Sequence, residues 1–293
     1  MIIVKLKGGL GNQLFQYAFG RALSETTKQP LLFDNLFFQS PSEIRDYELS
    51  KFSVHPNCSL PFFIRNWINV KHRRTKNIFL KALSKLQSIQ YFKEAHFEYD
   101  DQIFQKCEDG VNYYDGYWQS PQYFNAIRPL LLKELKIKLP LSSPTLDLAK
   151  RIQRENAISI HVRRGDYATN NHTNDFHGLC SLDYYKQAIH LLSKEKDECS
   201  FYIFSDDMVW TKENLKISGK PVYYVEHTTD ATNYEDLYLM SICKHQIIAN
   251  SSFSWWGAWL NEYSSKQIIA PKKWFADDSI NTNDLIPAEW IRI

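Results

Sequence analysis

Apolar residues recur along this chain in two registers. Short runs at residues 2–6, 30–34, 158–163, 200–205, 221–225, 246–249 and 267–270 read as buried strands. Between the later runs, apolar positions return at helical spacing over residues 182–193, 208–215, 234–244 and 253–261. Near the start, the first strand runs into the tight turn Gly8-Gly9-Leu10-Gly11, and Asn12 is placed to cap a helix through Gln13 to Leu23. Strands and helices alternating at this spacing predict parallel α/β sheets with helices on both faces. Residues 36–145 are less regular, rich in aromatic, proline and basic positions, and 139–144 (Leu-Pro-Leu-Ser-Ser-Pro) reads as a linker. The pattern therefore predicts two Rossmann-like domains facing a cleft, 1–145 and 146–293.

Composition narrows the class. The chain has 293 residues, 44% hydrophobic and 15% aromatic, enough for a substantial core and far from a disordered composition. A net charge of +2 argues against a dedicated nucleic-acid binder, but the average conceals an asymmetry. Residues 51–93 hold nine Lys/Arg and no Asp or Glu, so the remainder carries −7 (+2 less 9). Within this stretch, the segment 65–93 contains Lys71-His72-Arg73-Arg74-Thr75-Lys76, followed over 78–86 by apolar residues at helical spacing with lysines on another face. Two readings stay open: peripheral contact with an anionic membrane, or a solvated face packed on the core through its Leu/Ile side. The opening Met1-Ile2-Ile3-Val4-Lys5 has no charged region ahead of an apolar one, and no apolar stretch has transmembrane length. Five widely spaced cysteines without a Cys-x-x-Cys pair read as reduced thiols. The expected location is cytoplasmic, with the inner face of the membrane open to the basic segment.

Three segments carry candidate chemistry. His161-Val162-Arg163-Arg164-Gly165-Asp166 follows the apolar run Ala157–Ile160. Guanidiniums at the carboxyl end of such a strand suit a diphosphate, and a salt-bridged strand end has the same appearance. His161 is either an acid/base group or a histidine bonded to backbone. Ser205-Asp206-Asp207 follows another strand; its carboxylates suit metal ligation beside a diphosphate, recognition of guanine, or a helix N-cap. Asn250-Ser251-Ser252-Phe253-Ser254 opens a helix whose free N–H groups favour phosphate, and the tryptophans 255, 256 and 259 read as core. The glycine turn is neither a dinucleotide fingerprint, since Leu14 stands where the third glycine belongs, nor a P-loop, since no Gly-Lys-Ser/Thr follows. In helix 234–245, Glu235 and Asp236 near the start and basic residues at the end match the helix dipole. No His/Cys/Asp set has metal-ligand spacing, and no nucleophile elbow is present.

Taken in series, residues 8–17 (Gly-Gly-Leu-Gly-Asn-Gln-Leu-Phe-Gln-Tyr), 161–167 and 248–256 closely resemble bacterial α-1,2-fucosyltransferases of glycosyltransferase family 11, in the family's order and across the whole chain. The resemblance implies a GT-B-type α/β fold and transfer of L-fucose from GDP-β-L-fucose to the 2-hydroxyl of a terminal galactoside in cell-surface glycan synthesis. It implies inversion at the sugar, no cofactor and no required metal. Arg163 would contact the β-phosphate and serve catalysis, with Asp166 beside it as buttress or acceptor base. Asp206 would bind guanine, and Ser252, Phe253 and Ser254 would meet the diphosphate. Asn12, flanked by Gly9 and Gly11, would lie near the pyrophosphate and sugar, and His161 would line the same site. The acceptor would be selected by residues 36–145. The alternatives are a protein-O-fucosyltransferase-like enzyme and a GDP-sugar-binding protein without turnover.

Overall fold

A computed structural model describes residues 1–40, 45–54, 56–71, 89–165, 178–194, 198–226 and 233–293. Contacts divide it into two compact units, Met1–Leu135 and Lys136–Ile293.

In the first unit, β1 (Ile2–Lys5) leads through the glycine turn into α1 (Leu10–Thr27) and β2 (Leu31–Asp34). α2 (Phe62–Lys71), β3 (Ile89–Lys93), β4 (Val111–Asp115) and α3 (Arg128–Glu134) follow. The sheet order is β2-β1-β4-β3, all parallel, with Ile2 opposite both Leu31 and Asn112. Covered on both faces, β1 is apolar without alternation, and Ile2, Ile3 and Val4 are fully buried. α1 begins at Leu10 rather than Gln13: Gly9 is its N-cap without a side-chain bond, and Asn12 sits in its first turn. Gly20 lets α1 press onto the sheet, since a Cβ there would lie 3.0 Å from Val4 and 3.1 Å from Leu31.

The irregular region thus contributes two strands of this sheet. β4 escapes an apolar pattern because Asn112 and Asp115 flank its two tyrosines, and both polar residues are buried and bonded. Asn112 donates to the Glu108 carbonyl at 2.8 Å, while Asp115 takes Lys5 and Lys7 at 2.8 Å each. Burial alone would raise the Asp115 carboxyl, but the two lysines hold it down at about 2. The basic segment is described only up to Lys71 and from Ile89 onward; the helical expectation over 78–86 lies outside the described residues. Among the described residues no helix is long and apolar enough to cross a membrane.

The second unit opens on α4 (Ser143–Arg154). Its N-cap is Ser142, which accepts from the Thr145 N–H, with a proline in the first turn. The Pro/Ser stretch read as a linker therefore includes a helix start, the other use of the same residues. β5 (Ala157–Val162), α5 (Leu182–Lys194), β6 (Ser200–Ser205), α6 (Met208–Asn214), β7 (Val222–Tyr224), α7 (Asn233–Ile242), β8 (His245–Ile247), α8 (Ser252–Trp259), β9 (Ile268–Ala270) and β10 (Ile291–Arg292) complete it. All six strands are parallel in the order β10-β9-β8-β5-β6-β7. The chain leaves β5 toward β7, then returns to its other side at β8. Such a reversal leaves a crevice at the carboxyl ends of the two strands that flank it, here β5 and β8. The first sheet reverses between β1 and β4. Trp255 and Trp256 are fully buried and Trp259 nearly so, so the tryptophans are core.

Candidate functional site

β5 is buried along its whole length and ends at Val162, which delivers Arg163, Arg164 and Gly165 to the crevice edge. The next strand, β6, ends with Ser205 opposite Val162 and places Asp206 beside them. Asp206 Oδ2 pairs with Arg163 Nη1 at 3.0 Å, and Oδ1 accepts the Arg164 backbone N–H at 2.7 Å. Asp207 points elsewhere: it caps α6 through the Trp210 N–H at 3.1 Å. Arg164 follows Asp207, its guanidinium 3.6 Å above the Trp210 ring and 3.6 Å from the Asp207 carboxylate. The two arginines thus separate by partner. Arg164 is laid down on α6 as support, while Arg163 is aimed by a carboxylate that belongs to another strand. The two aspartates separate in the same way, the helix-cap reading going to Asp207. Among the described residues no group of three or more His, Cys, Asp or Glu is placed to hold a metal ion.

His161 lies beneath this pair, 5% exposed, with its ring 5.7 Å from that of Phe253. Burial, reinforced by Arg163 and opposed by Asp206, pushes its pKa down to about 4. The imidazole is therefore neutral at neutral pH and adds no positive charge to the site. An unfolded histidine takes its proton near 6.5, so between pH 6.5 and 4 the unfolded chain binds more protons than the folded one. The stabilisation is complete above pH 6.5 and is lost as pH falls toward 4, by on the order of 3 kcal/mol. Denaturant unfolding of the wild type and His161→Asn across this range is expected to show a shallower slope for the variant. Parallel curves would rule the assignment out.

On the opposite side of the reversal, Ser251 caps α8 by accepting the Phe253 N–H at 3.3 Å. Ser252 and Phe253 are half-buried at the helix start. Ser254 is buried and turned inward, its hydroxyl 3.4 Å from the Ser251 carbonyl, which makes it the most structural of the predicted trio. Asn250 ties in two loops, donating to the Gly178 and Trp274 carbonyls at 3.2 and 3.1 Å. Asp166 lies outside the described residues. Arg163, His161, Asp206 and the α8 start thus gather at one crevice of the second unit.

In the first unit the glycine turn is held by its own glutamines. Gln13 donates to the Gly8 and Asp46 carbonyls at 3.0 and 2.8 Å and accepts the Glu48 N–H at 2.9 Å. Gln16 accepts the Lys7 N–H at 2.9 Å and donates to the Gly116 carbonyl at 3.1 Å. Gly8 has φ +78°, and a Cβ there would strike the Asn12 amide at 2.6 Å. Gly11 is buried in the first helical turn. Gly9 is different: its φ of −73° suits any residue, and an added Cβ would meet nothing within 4 Å. The packing of this unit does not demand a glycine there. Asn12 is half-buried and its Oδ1 accepts from Gln119 at 2.8 Å. Sequence reasoning missed Gln119 and Trp210, because each meets its partner only through the fold.

With this geometry in view, comparison with known proteins is informative. The family model described as glycosyl transferase family 11 matches residues 1–293. An Escherichia coli protein named alpha-1,2-colitosyltransferase is 32% identical over 305 residues, covering 100% of this chain and 99% of that protein. The E. coli O-antigen biosynthesis glycosyltransferase WbnK is 34% identical over 317 residues, covering 98% and 99%. Among solved structures, the NodZ alpha-1,6-fucosyltransferase soaked with GDP-fucose superposes with a TM-score of 0.50 at 16% identity, covering 88% of this chain and 91% of that one. That last likeness is one of fold.

Proposed function

The chain belongs to glycosyl transferase family 11 and has a GT-B-type α/β fold, and on that footing we propose that it transfers L-fucose from GDP-β-L-fucose to the 2-hydroxyl of a terminal galactoside, inverting and metal-independent, in O-antigen-type glycan synthesis. The observation that carries this reading is Arg163, held by Asp206 at the carboxyl end of β5, where the sheet reverses and the α8 N-terminus begins. In the reaction the bond from fucose C1 to the β-phosphate oxygen breaks, and a bond forms from C1 to the acceptor O2. GDP departs with the electron pair, and the acceptor proton is released. Negative charge grows on the β-phosphate, where a forked guanidinium and helix N–H groups are most effective. Asp206 takes one N–H on each oxygen and keeps further lone pairs for the two guanine donors. Neutral His161 packs beneath the cluster. Asp166 is the candidate to receive the acceptor proton.

A second donor is suggested by the relative named for colitose, which is L-fucose without its 3-hydroxyl. The enzyme is to be incubated with lactose and either GDP-fucose or GDP-colitose, with and without a chelator, and the linkage of any product determined. A 2-linked fucosyl product unaffected by chelation is expected. Product from GDP-colitose alone would reassign the donor, chelator sensitivity would sink the metal-independent part, and nucleotide binding without turnover on any galactoside would leave a binding protein.

A further inference from the structure

α2 meets the first sheet through a narrow stripe and leaves apolar rings outside it. Ile64 and Ile68, four residues apart, are fully buried in one cluster with Ile3, Leu32 and Tyr113. Phe62 and Phe63, which open the helix, are instead 71% and 40% exposed. Phe63, Trp67 and Lys71 recur at four-residue spacing and so share a side of the helix. Trp67 is half-buried, its ring 5.9 and 5.3 Å from those of Tyr91 and Tyr113. Lys71 lies over Tyr91 with its ammonium 4.1 Å from the ring centre, yet the residue is exposed. Arg65, about one turn after Phe62, is exposed, and so is Lys93, which shares the Tyr91 face of the edge strand β3.

These cations all belong to the stretch 51–93, with its nine Lys/Arg and no Asp or Glu. The carboxylates that come near β3 leave this charge standing. Asp115 accepts the Tyr91 hydroxyl but is balanced by Lys5 and Lys7. Glu108 bonds Gln90, whose side chain stands on the opposite face of β3 from Tyr91. Exposed rings among cations suit a surface that offers apolar depth beneath negative charge. A second copy in a two-fold contact would instead set like charges against each other. We propose that α2 docks on an anionic phospholipid bilayer, with Phe62 and Phe63 entering the headgroup boundary and Arg65, Lys71 and Lys93 meeting the lipid phosphates. Apolar insertion and charge attraction then act together, each modest alone.

The test is co-sedimentation with vesicles and needs no nucleotide sugar. The wild type is expected to pellet with phosphatidylcholine vesicles containing about one quarter phosphatidylglycerol, and at least about tenfold less with phosphatidylcholine alone. Raising the salt from about 0.1 to about 0.5 M should weaken the binding several-fold. The double variant Phe62→Ser, Phe63→Ser is expected to lose about tenfold or more in partition, and Phe62→Ser alone about threefold, with unfolding midpoints unchanged. Val209→Ser, which removes an equally exposed apolar side chain on α6, should bind as the wild type does. Failure of the wild type to pellet with anionic vesicles would overturn the inference, as would equal binding to both lipids or equal loss in the Phe and Val variants. Self-association that depends on Phe62 and Phe63, without vesicle binding, would give this face to a second copy and overturn it too.

Discussion

Arg163→Lys is expected to lower kcat by on the order of a hundredfold or more, with GDP affinity and the unfolding midpoint changed far less. Lysine keeps the charge and can still approach Asp206, so the strand end retains its ion pair. It cannot reproduce a planar fork held by one arm and presented by the other. One charge-assisted hydrogen bond contributes roughly 1.5–3 kcal/mol, and here the contact strengthens as the β-phosphate becomes a leaving group. The loss should therefore fall on kcat more than on binding. Steady-state rates, calorimetric GDP binding and a melting curve measured on the same preparation separate the three quantities. Activity close to wild type would show that the guanidinium does not meet the departing charge.

The largest stability effect is expected at Glu235, whose position near the start of α7 invites a helix-dipole explanation. In the structure this carboxylate is 1% exposed and serves another helix. Its Oε1 accepts the Ser142 N–H at 2.6 Å, and its Oε2 accepts the Ser142 and Thr145 hydroxyls at 3.0 and 2.7 Å. Glu235 thus completes the N-cap of α4 and joins it to α7. Glu235→Ala takes the acceptor from the Ser142 N–H and from two hydroxyls, of which that of Thr145 is buried, for a cost of about 3 kcal/mol. In a unit of this size that corresponds to a fall in melting temperature of roughly 10 °C. Thermal unfolding followed by circular dichroism, with the exposed Asp147→Ala as control, would measure it. Equal midpoints for the two variants would return Glu235 to an ordinary first-turn charge.

Much of this architecture is legible from residues alone, for a physical reason. Parallel strands covered on both faces must be apolar throughout, so β1, β5 and β6 stand out of the sequence. The members of the second-unit site follow strands or open helices, positions that local patterning marks. β4 is hidden because two buried polar residues break its apolar run: Asn112, which bonds the nearby Glu108 carbonyl, and Asp115, whose lysine partners stand more than a hundred residues away, where no local rule announces them. The choice between Asp206 and Asp207 is likewise invisible until Asp207 is seen capping α6 and Asp206 reaching β5. Asn12 looks like a helix cap by residue type, yet the cap is Gly9, three residues earlier, with no side-chain bond. Its partner Gln119 lies in the stretch where periodicity is weakest.

The order of strands in the first sheet also sets a timetable for synthesis. β1 lies between β2, which follows soon after it, and β4, whose Asn112 pairs with Ile2. At the ribosome's pace of roughly 5–20 residues per second, one edge of that apolar strand waits on the order of 5–20 seconds for its partner. During that interval the nascent chain carries an unpaired, hydrophobic parallel edge, the kind of surface that associates with other chains. Chaperone capacity and translation speed across the first 115 residues should therefore govern soluble yield more than the thermodynamic stability of the finished protein does.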